Sequence, residues 1–204
     1  VEALATEKAA GLVTGPISKQ ALWDAGHAYN GHTELLSTLA VRYWKTPCHA
    51  EMLFVHQGFR LLLLTRHVPL AQVSAMLQPE TVYRSLATLV RFLQTVCHVT
   101  RPNLAMLGVN PHAGEIGGEE EQAVLIPVSQ RIMQETGSII SLPMPADGFF
   151  RGFKPDATPY NAIVSPYHDQ GLIPFTLLAG WEAVNVTIGL PFLRTSVSHG
   201  TAED

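Results

Sequence analysis

Asn103-Leu104-Ala105-Met106-Leu107-Gly108-Val109 is an apolar run of strand length, and the forty residues that begin with it decide the fold. The chain breaks at Asn110-Pro111-His112-Ala113-Gly114. Residues 119–135 then read as a helix stopped by Gly137, and residues 138–142 form a second apolar run. Strand, loop, helix, strand is the unit of a parallel sheet, because a crossover helix lets the next strand re-enter in the same direction. Toward the N-terminus, residues 1–10 read as a helix, 11–14 as a short strand that breaks at Gly15-Pro16, and 17–25 as a helix ended by Gly26. Residues 33–43 place Leu35, Leu36, Leu39 and Ala40 on one helical face. Two runs, 51–55 and 59–65, are split by Gln57-Gly58 and predict a hairpin. Helices are expected over 70–77 and 81–96, interrupted at Pro79. Toward the C-terminus, a strand is expected at 161–165, then a helix to about 178, then a strand at 183–188. The expected fold class is α/β, a mainly parallel sheet with flanking helices.

With 204 residues, 47% of them hydrophobic and 15% charged, the chain can bury a substantial core as one large domain or two small lobes. A formal net charge of -4, with 13 scattered Lys and Arg, excludes an electrostatic case for nucleic acid or an anionic membrane surface. Runs such as 61–64 are far too short to span a bilayer, and the first residues show no signal pattern. Cys48 and Cys97 are no disulfide framework, so a reducing cytoplasm is the expected compartment.

Histidine is the enriched type, with nine in the chain. Three share one kind of position, just past an apolar run. These are His67, His112 in Asn110-Pro111-His112-Ala113-Gly114-Glu115, and His168 in Pro166-Tyr167-His168-Asp169-Gln170-Gly171. Ligands of open α/β sheets bind beyond the carboxyl ends of the strands, so such residues converge. Any one of them alone reads more readily as an isolated loop histidine, but three neutral imidazoles placed alike point to a divalent-metal site. His32 opens a helix beside Gly31, where free backbone N–H groups favour an anion; a plain helix start with Thr33 as N-cap is the alternative. His199 is open to either reading, and His27, His49, His56 and His98 are expected to be solvated. Lys19 sits at a strand-to-helix turn, as an anion ligand or a surface cation. Residues 189–194 read as a loop after the strand that carries Asn185, bringing an amide near the Arg194 guanidinium. Arginine there suits a carboxylate or phosphate, or is simply solvated. Asp147 and Asp169 are candidates for proton transfer or for support of a histidine, or are loop-capping residues. No G-x-G-x-x-G or P-loop pattern is present.

The blocks Val13-Thr14-Gly15-Pro16-Ile17-Ser18-Lys19, Gly31-His32-Thr33-Glu34, Thr65-Arg66-His67-Val68-Pro69-Leu70 and Asn110-Pro111-His112-Ala113-Gly114-Glu115 resemble the 4-hydroxythreonine-4-phosphate dehydrogenase family of pyridoxal phosphate biosynthesis. So do Pro145-Ala146-Asp147, Tyr167-His168-Asp169-Gln170-Gly171, the block 185–192, and Arg194-Thr195-Ser196 to His199-Gly200-Thr201-Ala202. The resemblance implies two lobes with the active site in the cleft between them, and residues 1–204 as one partial dehydrogenase domain. It implies a divalent metal on His67, His112 and His168, zinc first, with magnesium or cobalt as alternatives. Substrate contacts would come from His32, Thr33, Asn185 and Arg194, with NAD or NADP as hydride acceptor. It implies a homodimer in which His168 reaches the partner's site. The chain departs from the family pattern at Thr176, where that pattern has a substrate-binding lysine, and in a shortened segment 114–121. Members also extend further at both ends. The alternatives are a dehydrogenase of phosphorylated erythronate or threonate or of a dihydrodiol, a three-histidine zinc hydrolase, and an inactive truncated copy.

Overall fold

The structure is a computed structural model that describes residues 1–29, 31–115 and 118–198, except for the side chain of Lys19. Its strands are β1 (Gly11–Thr14), β2 (Glu51–His56), β3 (Phe59–Leu63), β4 (Asn103–Met106), β5 (Ile139–Ile140), β6 (Ala162–Ser165), β7 (Val184–Ile188) and β8 (Leu193–Val197). Its helices are α1 (Glu2–Ala5), α2 (Lys19–Asp24), α3 (His32–Trp44), α4 (Val73–Met76), α5 (Pro79–Thr95), α6 (Ile126–Thr136), α7 (Ala146–Phe150) and α8 (His168–Ala179). The chain forms two compact units, residues 1–54 with 183–204, and residues 55–182. The fold is α/β with mixed strand directions and flanking helices.

In the unit of residues 55–182, β3, β6, β4 and β5 pair in that order, and every pairing is parallel. The segment 103–142 therefore folds as its pattern predicts. Pro79 does not interrupt a helix but starts α5, where its missing N–H costs nothing. Val82, Leu86, Leu89, Val90 and Leu93 of α5 are buried, a spacing that lays one helical stripe on the core. Gly137 ends α6 with φ 70°, a left-handed stop that suits glycine. The two-residue link Gln57-Gly58 joins β2 to β3, with Gln57 at φ 50°. Phe59, 1% exposed, anchors an aromatic cluster with Phe150, Phe153 and Phe175.

In the other unit, β1 pairs with β8 in parallel and β8 with β7 in antiparallel fashion. Two expectations are corrected by this unit. The first helix is four residues long, α1, rather than ten. Arg194 is not in a loop: Leu193–Val197 is a strand, β8, paired on both sides, because the turn after β7 spans only residues 189–192. Trp44 at the end of α3 packs on Phe192 with ring centroids 5.4 Å apart.

Candidate functional site

Parallel pairing sets the positions of the three histidines. β3, β6 and β4 are parallel neighbours, and His67, His168 and His112 come after their carboxyl ends. Gly171 lets α8 lie close on the sheet: a Cβ there would sit 2.8 Å from Leu61 Cδ1 and from Ser165 Cβ. That closeness fixes where the first residue of α8, His168, emerges. The His67 and His168 rings have centroids 5.6 Å apart. Both line a pocket of about 330 Å³ together with Arg66, Val68, Leu70, Val73, Tyr167 and Asp169. The Asp169 carboxylate accepts from His168 Nδ1 at 2.7 Å, which leaves Nε2 as the ring's outward nitrogen.

His112 stands on a different support. It and Ala113 have φ 56° and φ 53°, left-handed values that non-glycine residues adopt at a cost. The loop is held down by Glu121, whose side chain is fully buried. Glu121 accepts from the Asn110 backbone N–H at 2.8 Å and from Asn110 Nδ2 at 3.0 Å. Gly108 allows the fold-back, since a Cβ there would meet Ala113 Cα at 2.8 Å. Gln170 links the two histidine-bearing loops: its Nε2 donates to Gly108 O at 2.6 Å, while its Oε1 accepts from Ser165 Oγ at 2.7 Å. Sequence reasoning does not find Glu121, Gln170 or Ser165. The only signal for Gln170 is its place two residues after His168.

Two imidazoles sharing one ion, with metal–nitrogen distances of about 2.0–2.1 Å, put their ring centroids roughly 5 Å apart. The His67–His168 spacing is of that size. The described residues of the chain bring no group of three His, Cys, Asp or Glu into metal-holding geometry, and His112 is not among the pocket's lining residues. Asp147 is exposed in the first turn of α7, and Thr176 is exposed on α8.

The second constellation belongs to the unit of residues 1–54 and 183–204. Cross-strand register pairs Thr187 with Arg194, Asn185 with Ser196 and Thr14 with Ser196, so these side chains share one face of the β1–β8–β7 sheet. Arg194 is 4% exposed. Its guanidinium donates to Thr14 Oγ1 from Nε at 3.1 Å and from Nη2 at 2.7 Å, and to Thr187 Oγ1 from Nη1 at 2.9 Å. Among the described residues it has no carboxylate partner. A buried cation left without a counter-charge is costly unless an anion joins it. Burial lowers its pKa from the ordinary value, yet an arginine stays charged. Asn185 is 8% exposed, and its Oδ1 is buried with no hydrogen-bond partner among the described residues. His32, first residue of α3, has its pKa pushed down by burial and then by the Arg194 charge. The next residue, Thr33, is half-buried, its carbonyl accepting from Ser37 Oγ at 2.8 Å.

Of the histidines expected in solvent, His56 is instead 9% exposed, with Nδ1 3.8 Å from Glu182, because it ends a strand packed on both faces. His49 meets the buried Glu51 carboxylate at 2.8 Å. His199 lies outside the described residues, as does the side chain of Lys19.

Histidines past parallel strand ends mark one unit of this α/β protein, and a buried arginine with no counter-charge among the described residues marks the other. Residues 1–204 match the family model described as pyridoxal phosphate biosynthetic protein PdxA, and the chain belongs to that family. A 4-hydroxythreonine-4-phosphate dehydrogenase from Thermosynechococcus vestitus is 43% identical over 96% of this chain and 60% of its own length. One from Ruegeria is 41% identical over 100% of this chain and 61% of its own. The crystal structure of the enzyme of that name from Klebsiella pneumoniae superposes with a TM-score of 0.83 at 38% identity, covering 98% of this chain and 59% of that one. A terephthalate 1,2-cis-dihydrodiol dehydrogenase from Burkholderia xenovorans gives a TM-score of 0.75 at 27% identity, covering 98% and 61%. The chain thus spans about 60% of the length of the relatives it matches.

Proposed function

We propose that this chain carries the substrate- and metal-binding residues of a dehydrogenase that oxidises 4-hydroxythreonine-4-phosphate, with NAD or NADP as hydride acceptor and decarboxylation of the keto acid as the second step. The observation that carries the reading is Arg194, buried and with no carboxylate partner among the described residues, in a chain 36–43% identical to relatives of that name. Arg194 would bind an anionic group of the substrate. Asn185 Oδ1 would accept a hydrogen bond from the substrate, and a neutral His32 with Thr33 would orient it without adding charge. His67, His112 and His168 would hold the metal, and Asp169 would keep the His168 ring turned so that Nε2 faces it. A bound divalent ion, zinc first with magnesium or cobalt as alternatives, polarises an alcohol oxygen and holds negative charge as oxidation and decarboxylation proceed. Asp147 and Asp169 are proposed for proton transfer. No G-x-G-x-x-G turn is present, and no residue of this chain is assigned to the nicotinamide cofactor.

The family's homodimer is proposed too. Ile173 and Leu177, one turn apart on α8, are 57% and 81% exposed, and Trp181, just past its end, is 88% exposed, apolar surface of the kind that a second copy covers. A cytoplasmic location is proposed, and no helix of the described residues is long and apolar enough to cross a membrane.

The test is the rise of reduced-nicotinamide absorbance when 4-hydroxythreonine-4-phosphate, NAD or NADP, and a divalent metal are added to the full-length protein. Thr176, exposed and uncharged where the family pattern has lysine, favours a second reading: a related substrate such as phosphorylated erythronate or threonate, or a dihydrodiol. Turnover of one of these, with none of 4-hydroxythreonine-4-phosphate, would move the assignment to it.

A further inference from the structure

Arginine has five N–H donors, and in Arg194 three of them are held by Thr14 and Thr187. Thr14 Oγ1 takes the Nε side and Thr187 Oγ1 takes Nη1. One donor on Nη1 and one on Nη2 find no acceptor among the described residues. The same polar sheet face holds the unpartnered Oδ1 of Asn185, 8% exposed, an independent sign that a ligand completes the face. An unclamped guanidinium on a flexible stem could turn toward any neighbour, and ordering it at binding would cost side-chain entropy. The clamp removes that freedom beforehand. The two hydroxyls also satisfy the cation without neutralising it, so its full charge stays available to an incoming anion.

We propose that Thr14 and Thr187 are positioning residues for Arg194, two hydroxyls that fix its guanidinium plane and aim its remaining pair of N–H donors at the anionic group of the substrate. This rests on the reading of Arg194 as the anion ligand. It assigns a role to two residues that touch the ligand only through Arg194. Valine replaces threonine at nearly equal volume and removes the hydroxyl, whereas serine keeps it.

The test is equilibrium binding to the full-length protein of two probes, 4-hydroxythreonine-4-phosphate and inorganic phosphate, with melting temperature measured for each variant. Thr14→Val and Thr187→Val should each weaken binding of the probe by about tenfold, roughly 1.4 kcal/mol. Thr14→Ser and Thr187→Ser should bind within about threefold of wild type, a rescue that loss of packing alone would not give. Losing the acceptor of a buried N–H should lower the melting temperature of each valine variant by a few degrees, and the return of binding in the serine variants separates aiming from folding. If Arg194→Ala abolishes binding while both valine variants bind as wild type does, the positioning role is overturned and the anion role of Arg194 stands. If phosphate binding depends on the threonines but 4-hydroxythreonine-4-phosphate does not bind, the clamp stands and the substrate reading falls. If neither probe binds the wild-type protein, or Arg194→Ala changes nothing, both fall.

Discussion

The strand ends that carry His67, His112 and His168 and the sheet face that carries Arg194 reach their chemistry by opposite routes. In the unit of residues 55–182 the side chains are local consequences of the chain: a strand ends, a histidine comes within a few residues, and parallel pairing brings those ends to one sheet edge. In the unit of residues 1–54 and 183–204, Thr14 and Arg194 are 180 residues apart and meet only because β1 pairs with β8. In the first arrangement each loop has a support close by in sequence, Asp169 for His168 and Glu121 for the loop of His112, and Gln170 ties the two loops together. The second is a single array in which each member depends on strand register. Function set by topology shows as a repeated pattern along the chain, whereas function set by register shows only once the strands are paired.

The largest effect should fall on the frame of the histidine-bearing unit. Phe59→Ala removes the hub of the aromatic cluster and should cost about 3–5 kcal/mol in chemical denaturation. If the loss is below about 1 kcal/mol, the strand ends are not held by that core. Next, Asp169→Asn should weaken divalent-metal binding by about 10–100-fold in a chelator-competition titration, because the amide no longer fixes the His168 tautomer. Unchanged affinity would leave Asp169 as a surface residue and remove the contrast in local support.

The sheet face should respond with the opposite sign. Arg194→Met takes away a buried charge that no carboxylate among the described residues compensates, so stability should rise by about 1 kcal/mol while anion binding is lost. A clear fall in melting temperature would mean that the threonine contacts already outweigh the burial cost. The smallest effect concerns pH. The pKa of His32 is lowered from 6.5 by burial first and by Arg194 second. The unfolded chain therefore takes up this proton before the folded one does. The stability due to keeping His32 neutral is full above pH 6.5 and is lost as pH falls through the lowered folded value. His32 is partly exposed, so the slope should be shallow. Melting curves of His32→Gln should flatten over that acid window, and an identical slope would remove His32 from the face.

Much of the histidine-bearing unit is legible in the sequence because two periodicities and their breakers are local. Gly137 stops α6 through its own backbone chemistry, whereas Pro79 opens α5 but reads as an interruption, because a proline at a first helical position resembles one that breaks a helix. The histidine positions come from those strand ends. His56 reads wrongly as solvated because a polar residue at the end of an apolar run carries no mark of what packs over it. Glu121 is hidden for a related reason: in sequence it is one of four consecutive acidic or amide residues at 119–122, and only burial distinguishes it.

Hydrophobic period, turn chemistry and ordered motif blocks are properties of neighbours along the chain, so the α/β class, the histidines past the strand ends and the family were all legible without coordinates. Strand pairing was needed to learn that Arg194 lies in a strand rather than a loop, that Thr14 and Thr187 hold it, and that Asn185 Oδ1 is buried with no hydrogen-bond partner among the described residues. Those facts depend on which strands pair and in which register, and a shift of one residue would send every one of these side chains to the other face.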